Sequence, residues 1–171
     1  MSDAVSKSSQ VANTDSKPVM ASVPLPVRRG ERRDVATLAV FNLRMAFETE
    51  QLRLNPTTLE RGVHAVFEQP TRGTYYVAEI GGAVVGCVLV THEWSDWRNG
   101  DIWWLQSVYV DIEHRRLGVF KAMYAHVEAL AREADAIALR LYLERHNTRA
   151  RETYASLGFE RTEYDVMHRP L

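Results

Sequence analysis

The sequence predicts one α/β domain built on a mixed, mostly antiparallel sheet that is covered by helices. Two observations carry this prediction. Apolar residues recur at helical spacing in four segments and at strand spacing in six, in the order extended, α, α, β, β, β, α, β, α, β. With 171 residues, of which 46% are hydrophobic, the chain can bury one substantial core but not two independent ones.

Charge and cysteine content restrict the classes of function. The formal net charge is -1, so the chain has no overall basic field for nucleic acid, and any anion site must be local. The single cysteine, Cys87, lies in an apolar run and cannot form an internal disulfide, which fits a buried residue in a reducing cytoplasm. Because no segment has the roughly 18 apolar residues of a membrane span, we expect a cytoplasmic protein without a membrane partner.

The N-terminal segment differs in composition from the rest. Residues 1–24 are rich in Ser, Ala, Asp and Lys and show neither a hydrophobic period nor a secretory signal. We therefore expect a disordered tail over residues 1–24 and a single domain over residues 25–171.

Helical periodicity begins after a short extended piece, "LPVRR". Asp34 is a candidate N-cap for a first helix that ends near Glu50, and Asn55 followed by Pro56 predicts the start of a second. The apolar faces of the two helices consist of Val35, Leu38, Phe41 and Met45 in the first, and Leu59, Val63, Val66 and Phe67 in the second.

The pattern then changes to that of strands. "TYYVAEI" (74–80) and "AVVGCVLV" (83–90) are β-branched and aromatic runs, and Gly81 and Gly82 between them are typical of a tight hairpin. A loop, "EWSDWRNG" (93–100), is expected to lead to a third run, "DIWWLQSVYV" (101–110). We expect three consecutive antiparallel strands.

Helix and strand alternate in the last third of the chain. Helical spacing runs from Val119 to Ala134 and is followed by a predicted strand, "AIALRLYLE" (136–144). Asn147 then caps a short helix through Leu157, and Gly158 ends it. The final run, "FERTEYDVMHR" (159–169), is predicted to be a closing strand.

The turn "HRRLGVF" (114–120) joins the third strand to the helix at Val119. Such a turn directs unpaired backbone N–H groups and the positive end of the helix dipole at one point, which suits a phosphate. Arg115 and Arg116 add charge, and Gly118 permits close approach or an unusual backbone conformation. The alternative is a solvated basic turn. The turn lacks the Gly-Lys-Ser/Thr of a P-loop and the spaced glycines of a dinucleotide-binding fold.

A second motif accompanies this turn. Arg115-x-x-Gly118 after one strand and Asn147-x-x-Ala150-x-x-x-Tyr154 after the next occur with the expected elements between them. Together they resemble the GNAT superfamily of N-acetyltransferases over residues 25–168. The resemblance implies the GNAT-type fold, with helices on both faces of the sheet.

The resemblance also implies an activity and a set of site residues. It implies an acetyl-CoA-dependent N-acetyltransferase in which an amine attacks the thioester directly in a ternary complex, without a metal. Tyr154 would protonate the leaving thiolate, because a phenol of pKa about 10 holds its proton at neutral pH; the alternative is a core aromatic. The positions implied to contact acetyl-CoA are Val108, Tyr109, Val110, Arg115, Arg116, Leu117, Gly118, Val119, Phe120, Lys121, Asn147 and Ala150.

Two positions depart from the pattern of the family. The last position of the turn is usually Gly or Ala, whereas here it is Phe120. Its N–H is still available, and we expect its ring to pack within the protein, with contact to the cofactor as the alternative. Residues 93–110 resemble polyamine acetyltransferases, which carry a glutamate where this chain has Gln106. Gln106 cannot act as a base, but it could hold a water that relays the proton.

The acceptor is expected to be a small cationic amine or polyamine. The candidate acceptor-site residues are Glu48, Glu50, Glu93, Trp94, Asp96, Trp97, Asp101 and Gln106. The acids are alternatively solvated surface residues, and the tryptophans alternatively anchor a hairpin. An amine of a peptide, an amino acid or an aminoglycoside stays open as the acceptor, as does a non-catalytic acyl-CoA-binding module. Many members of the family are dimers, so a homodimer is an expectation from the resemblance alone.

Overall fold

One five-stranded sheet, in the order β1-β2-β3-β4-β5, organises the computed structural model, which describes residues 25–170. The strands are β1 (Val27–Arg29), β2 (Thr74–Ile80), β3 (Ala83–Ser95), β4 (Gly100–Val110) and β5 (Ala138–Leu141). Neighbouring strands from β1 to β4 are antiparallel, whereas β4 and β5 are parallel. The predicted mixed, mostly antiparallel sheet is confirmed, and the tail predicted over residues 1–24 lies outside the described residues.

Helices cover both faces of the sheet, as predicted. They are α1 (Val35–Glu50), α2 (Pro56–Glu68), α3 (Val119–Glu133) and α4 (Thr148–Ser156). Helices α1 and α2 enclose a buried cluster on one face that includes Leu38, Val63 and Val77. Helix α3 encloses a second cluster on the other face, with Met123 and Val127 at its centre. No helix among the described residues is long and apolar enough to cross a membrane.

The structure confirms the predicted N-caps at Asn55 and Asn147 and the hairpin glycines, but not the cap bond predicted at Asp34. The Asn55 side chain accepts a hydrogen bond from the Thr58 N–H at 2.9 Å, as an N-cap should. Gly81 and Gly82 have φ values of 59° and 81° in the β2–β3 hairpin. The prediction for Asp34 is wrong: its buried carboxylate makes no cap bond to α1 but accepts two hydrogen bonds from Arg28, at 2.7 and 3.0 Å.

Two predictions need correction: the loop between β3 and β4, and the strand at the C-terminal end of the described residues. Half of the loop expected over 93–100 is strand, because β3 continues to Ser95 and β4 begins at Gly100, which leaves a four-residue turn. The closing strand predicted over 159–169 does not form. From Glu160 to Pro170 every residue is exposed, so this run gains no partner strand and no buried face to hold it extended.

A bulge in β4 lies just beyond the point where pairing between β4 and β5 ends. Cys87 pairs with Tyr109, but Leu89 pairs with Gln106, so two residues of β4 stand opposite Val88. One of them, Ser107, has a φ of 46°. A bulge bends its strand, and β5 pairs with β4 only as far as Leu105. The strand predicted over 136–144 is therefore shortened to Ala138–Leu141, and the remainder of β4 has no strand beside it on that side within residues 25–170.

Candidate functional site

The turn before α3 presents free backbone N–H groups next to the opened part of β4. The first hydrogen bond within α3 runs from the Ala122 N–H to the Gly118 carbonyl at 3.0 Å, so the N–H groups of Val119, Phe120 and Lys121 precede the helical ladder. No side chain of the described residues caps them. Gly118 has a φ of 81°, and a Cβ there would meet nothing within 4 Å. Gly118 is thus required for backbone conformation rather than for close packing.

The basic side chains of this turn lie in two different environments, one exposed and one paired with an acid. Arg116 and Lys121 are exposed at the start of α3. Arg115 is instead held by the protein: its Nε donates to the Val110 carbonyl at 3.0 Å, and its guanidinium pairs with Glu48. The Tyr109 hydroxyl donates to the same carboxylate at 2.9 Å. The hydrogen bond to Glu48 raises the pKa of Arg115.

Glu48 therefore joins α1 to the strand and turn predicted to contact acetyl-CoA. One turn earlier on α1, Arg44 pairs with Asp111 at 2.8 Å. The two ion pairs hold the end of α1 over the end of β4. Beside them lies an open cleft of about 420 Å³ lined by Arg44, Glu48, Tyr109, Asp111, Ile112 and Glu113. Sequence reasoning missed Arg44 and Asp111, because nothing in their spacing links positions 67 residues apart.

The second motif lies on α4. The Asn147 side-chain oxygen caps this helix by accepting the Ala150 N–H at 3.0 Å, which leaves the Asn147 amide Nδ2 as its donor. Tyr154 is half-buried on the same helix. Burial raises the pKa of its phenol. Its ring lies 5.5 Å from that of Phe120 at an angle of 88°, so residues from the two motifs meet.

The α1 and α2 face of β4 carries a polar network. Gln106 Nε2 donates to the Thr91 hydroxyl at 2.6 Å. Farther along β4, the Trp104 indole donates to Glu93 at 2.6 Å, and Arg140 pairs with the same carboxylate at 3.0 Å. Glu93 was a candidate acid, and the structure shows that its charge is already paired. Trp104 and Arg140 were missed, although their alternation with apolar neighbours places them on this face.

The remaining acceptor candidates are not brought together. Consecutive strand residues point to opposite faces, so Trp94 lies on the side of His92, whose ring contacts Trp103 at 5.0 Å, and not on the side of Glu93. Trp97 is 82% exposed in the β3–β4 turn. Asp96 in the β3–β4 turn and Glu50 at the end of α1 are also exposed.

Cys87 lies in the core rather than in a reactive site. Its side chain is fully buried between the sheet and α1. Burial raises the pKa of the thiol to about 12, so it carries no appreciable thiolate near neutral pH. Within residues 25–170, no cluster of three or more His, Cys, Asp or Glu side chains is arranged to hold a metal.

Comparison with known proteins identifies the family. The model of the "Acetyltransferase (GNAT) family" matches residues 38–159. A protein described as a possible acetyltransferase from Clostridium difficile 630 is 35% identical, with a TM-score of 0.81 over 87% of this chain and 99% of that one. A predicted acetyltransferase from Clostridium acetobutylicum, solved with acetyl-CoA, is 16% identical with a TM-score of 0.70 over 85% of this chain and 96% of that one, which shows a shared fold.

A curated relative matches a shorter region. Mycothiol acetyltransferase from Thermobispora bispora is 33% identical over 96 residues, which are 56% of this chain but only 32% of that protein. This chain thus spans about a third of that relative's length. The chain belongs to the GNAT family of acetyltransferases. The resemblance seen in the sequence is confirmed, and with it the class of enzyme, an acetyl-CoA-dependent N-acetyltransferase.

Proposed function

We propose that this protein transfers the acetyl group of acetyl-CoA to a primary amine by direct attack in a ternary complex. One observation carries the proposal: the part of β4 that has lost β5 leads straight into the turn whose N–H groups precede the ladder of α3. The edge of β4 from Gln106 to Tyr109, before the Val110 carbonyl that Arg115 occupies, can hydrogen-bond an extended amide-bearing chain such as pantetheine. The N–H groups of Val119 to Lys121, with Arg116 beside them, suit a pyrophosphate. These residues fit acetyl-CoA as the donor substrate.

Tyr154 is the proposed acid for the departing thiolate. Burial disfavours its phenolate, so the hydroxyl keeps its proton at neutral pH and has one to give. The N–H groups along the free edge of β4 would stabilise negative charge that develops on the thioester oxygen. Asn147 Nδ2 is the donor that we assign to the pantetheine.

Direct attack is favoured over a covalent acyl-enzyme. The chain has one cysteine, and its thiol is buried and kept neutral by that burial. Cys87 therefore offers no activated thiolate to take the acetyl group before the amine arrives. Gln106, held by Thr91, is the proposed support for a water that relays the proton of the amine toward bulk solvent.

The proposed acceptor is a small cationic amine or polyamine. Support comes from the cleft under the end of α1, whose lining has three carboxylates, those of Glu48, Asp111 and Glu113, against the single guanidinium of Arg44. Such a lining favours an ammonium group over an anion. Glu48 and Asp111 share their charge with arginines, so we expect attraction to be modest and weakened by salt.

Release of CoA thiol from acetyl-CoA, followed over a panel of amines, tests the proposed function. The panel contains polyamines, amino acids, aminoglycosides and peptides. We expect thiol release with the polyamines, with a KM that rises as salt is added. Turnover with amino acids or peptides and none with the polyamines or aminoglycosides would refute the cationic acceptor but keep the enzyme. Silence across the panel, together with thermal stabilisation by acetyl-CoA, would favour a binding module instead. Sedimentation velocity on the same preparation tests the expected homodimer.

A further inference from the structure

Four aromatic rings form a closed cycle between α3, α4 and Phe159, which lies three residues beyond the end of α4. Phe120 contacts Tyr124 at 6.4 Å and Tyr154 at 5.5 Å, and Phe159 contacts Tyr124 at 5.9 Å and Tyr154 at 5.6 Å. Three of the four contacts are edge-to-face, at 61° to 88°, which is a preferred geometry for aromatic pairs. The Phe120 ring is thereby placed in the protein, as the packing interpretation of this position expected.

This cycle attaches α4 to α3. None of the nine residues of α4 is fully buried. Two partly buried side chains just beyond its end, Leu157 and Phe159, pack against the cluster under α3. Within the helix itself, Tyr154 supplies the ring contacts to α3. The position of the Tyr154 hydroxyl therefore depends on the rings on either side of it.

The Phe120 side chain connects Tyr154 to the turn before α3. It is the second residue of α3 and one of the three whose N–H groups precede the helical ladder. Its ring contacts that of Tyr154 edge-to-face at 5.5 Å, so it restricts the movement of the phenol on that side. A glycine or alanine at this position would leave that side of Tyr154 without a neighbour.

We propose that Phe120 is a positioning residue for Tyr154. The edge-to-face contact fixes the phenol where its proton can reach the leaving thiolate, while the Phe120 backbone N–H serves the turn independently of the side chain. This inference rests on the proposed function, because it assigns Tyr154 the role of acid. It also explains how a large ring is accommodated at a position where a small residue is expected.

A double-mutant cycle on the full chain tests this role. The variants are Phe120→Leu, Tyr154→Phe and the two combined, with kcat measured for the best amine of the panel and Kd measured for acetyl-CoA. We expect Phe120→Leu to lower kcat about tenfold, because misplaced catalytic groups lose rate steeply, and to leave Kd unchanged. In the Tyr154→Phe background we expect Phe120→Leu to lower kcat no further, since it acts through the lost hydroxyl. Phe120→Tyr keeps the ring and should retain kcat.

Tyr124→Leu is the matched control. It removes a ring of the same cycle that contacts Phe120 and Phe159 but forms no ring pair with Tyr154. We expect a smaller fall in kcat than for Phe120→Leu; an equal or larger fall would show that the cycle matters only for folding and would overturn the proposal. If Phe120→Leu shows no cooperative thermal transition, Phe120→Met replaces it.

The outcomes separate the inference from the function on which it rests. If Tyr154→Phe lowers kcat and the two losses multiply, the role of Phe120 is overturned while the acid role of Tyr154 stands. If Phe120→Leu weakens acetyl-CoA binding equally in both backgrounds, the ring contacts the donor substrate and the positioning role is overturned. If Tyr154→Phe leaves kcat unchanged, both assignments fall together.

Discussion

Gly118 illustrates how one residue sets the geometry of the proposed phosphate site. Its φ of 81° is unfavourable for a residue with a Cβ, although the space around it is open. We predict that Gly118→Ala lowers the free energy of unfolding by about 1 kcal/mol and raises the Kd for acetyl-CoA. Urea denaturation and isothermal titration calorimetry measure these quantities.

The matched control is Gly62→Ala in α2. This glycine is exposed in a helix, and a Cβ there also meets nothing within 4 Å. We expect it to stabilise the protein by about 0.5 kcal/mol or more and to leave acetyl-CoA binding unchanged. Equal effects of the two substitutions would contradict the role of the left-handed turn.

Tyr154 is the residue on which the proposed chemistry depends most. We predict that Tyr154→Phe lowers kcat about 100-fold, the usual scale of general acid catalysis, with little change in Kd for acetyl-CoA. Because burial raises the pKa of this phenol, the proton is present at neutral pH and is lost only above the ordinary value of about 10. The rate should therefore fall at the alkaline end of the pH profile in the wild type, and this limb should disappear in Tyr154→Phe. A wild-type rate for the variant would remove Tyr154 as the acid.

At the scale of elements, the end of α1 is tied to β4 and to the turn before α3. Glu48 accepts hydrogen bonds from Tyr109 and Arg115. We predict that Glu48→Gln lowers the free energy of unfolding by about 1 kcal/mol or less, since the pair is partly exposed, and raises the KM for acetyl-CoA by freeing Arg115. Thermal denaturation and initial rates provide the measurements.

Glu50→Gln serves as the control for this tie. Glu50 is two residues farther along α1 and forms no ion pair with a described residue. We expect its substitution to change neither stability nor KM. If both glutamine variants change the stability and the KM for acetyl-CoA equally, the contacts of Glu48 with β4 and the turn do not contribute to acetyl-CoA binding.

The bulge in β4 is the element that sequence reasoning should have found. Trp103 and Leu105 point to the α3 face, and so do Val108 and Val110, which is a slip of one residue in the alternation. That slip marks Ser107. By contrast, the closing strand over 159–169 was predicted from residue preferences alone. Such preferences do not show whether a neighbouring strand is available for pairing.

For the molecule as a whole, Cys87 reports on the integrity of the core. Its thiol is fully buried and burial raises its pKa to about 12. We predict that a disulfide reagent at pH 8 leaves the native protein unmodified and fully active, and modifies it only after unfolding in urea. Rapid modification of the native protein with loss of activity would instead point to a reactive cysteine and a covalent route.

The order of the elements and the turn at Gly118 could be read from the sequence, because helix caps, hairpin glycines and hydrophobic periods act over a few residues. Asn55 and Asn147 both cap as expected. The pairings of Glu48 with Arg115 and of Glu93 with Arg140 could not be read, since they join positions 67 and 47 residues apart. Only the folded sheet shows that these candidate acids are paired with arginines.

Direct transfer of the acetyl group is the central claim, and a single-turnover experiment tests it most directly. The protein is mixed with acetyl-CoA that carries an isotopically labelled acetyl group, quenched rapidly with and without the best amine of the panel, and analysed by mass spectrometry. We predict that the label stays on CoA in the absence of amine and appears only on the amine when it is present. Label on the protein before the amine is added would contradict direct attack, and label retained on CoA with every amine would contradict the assignment of an acetyltransferase.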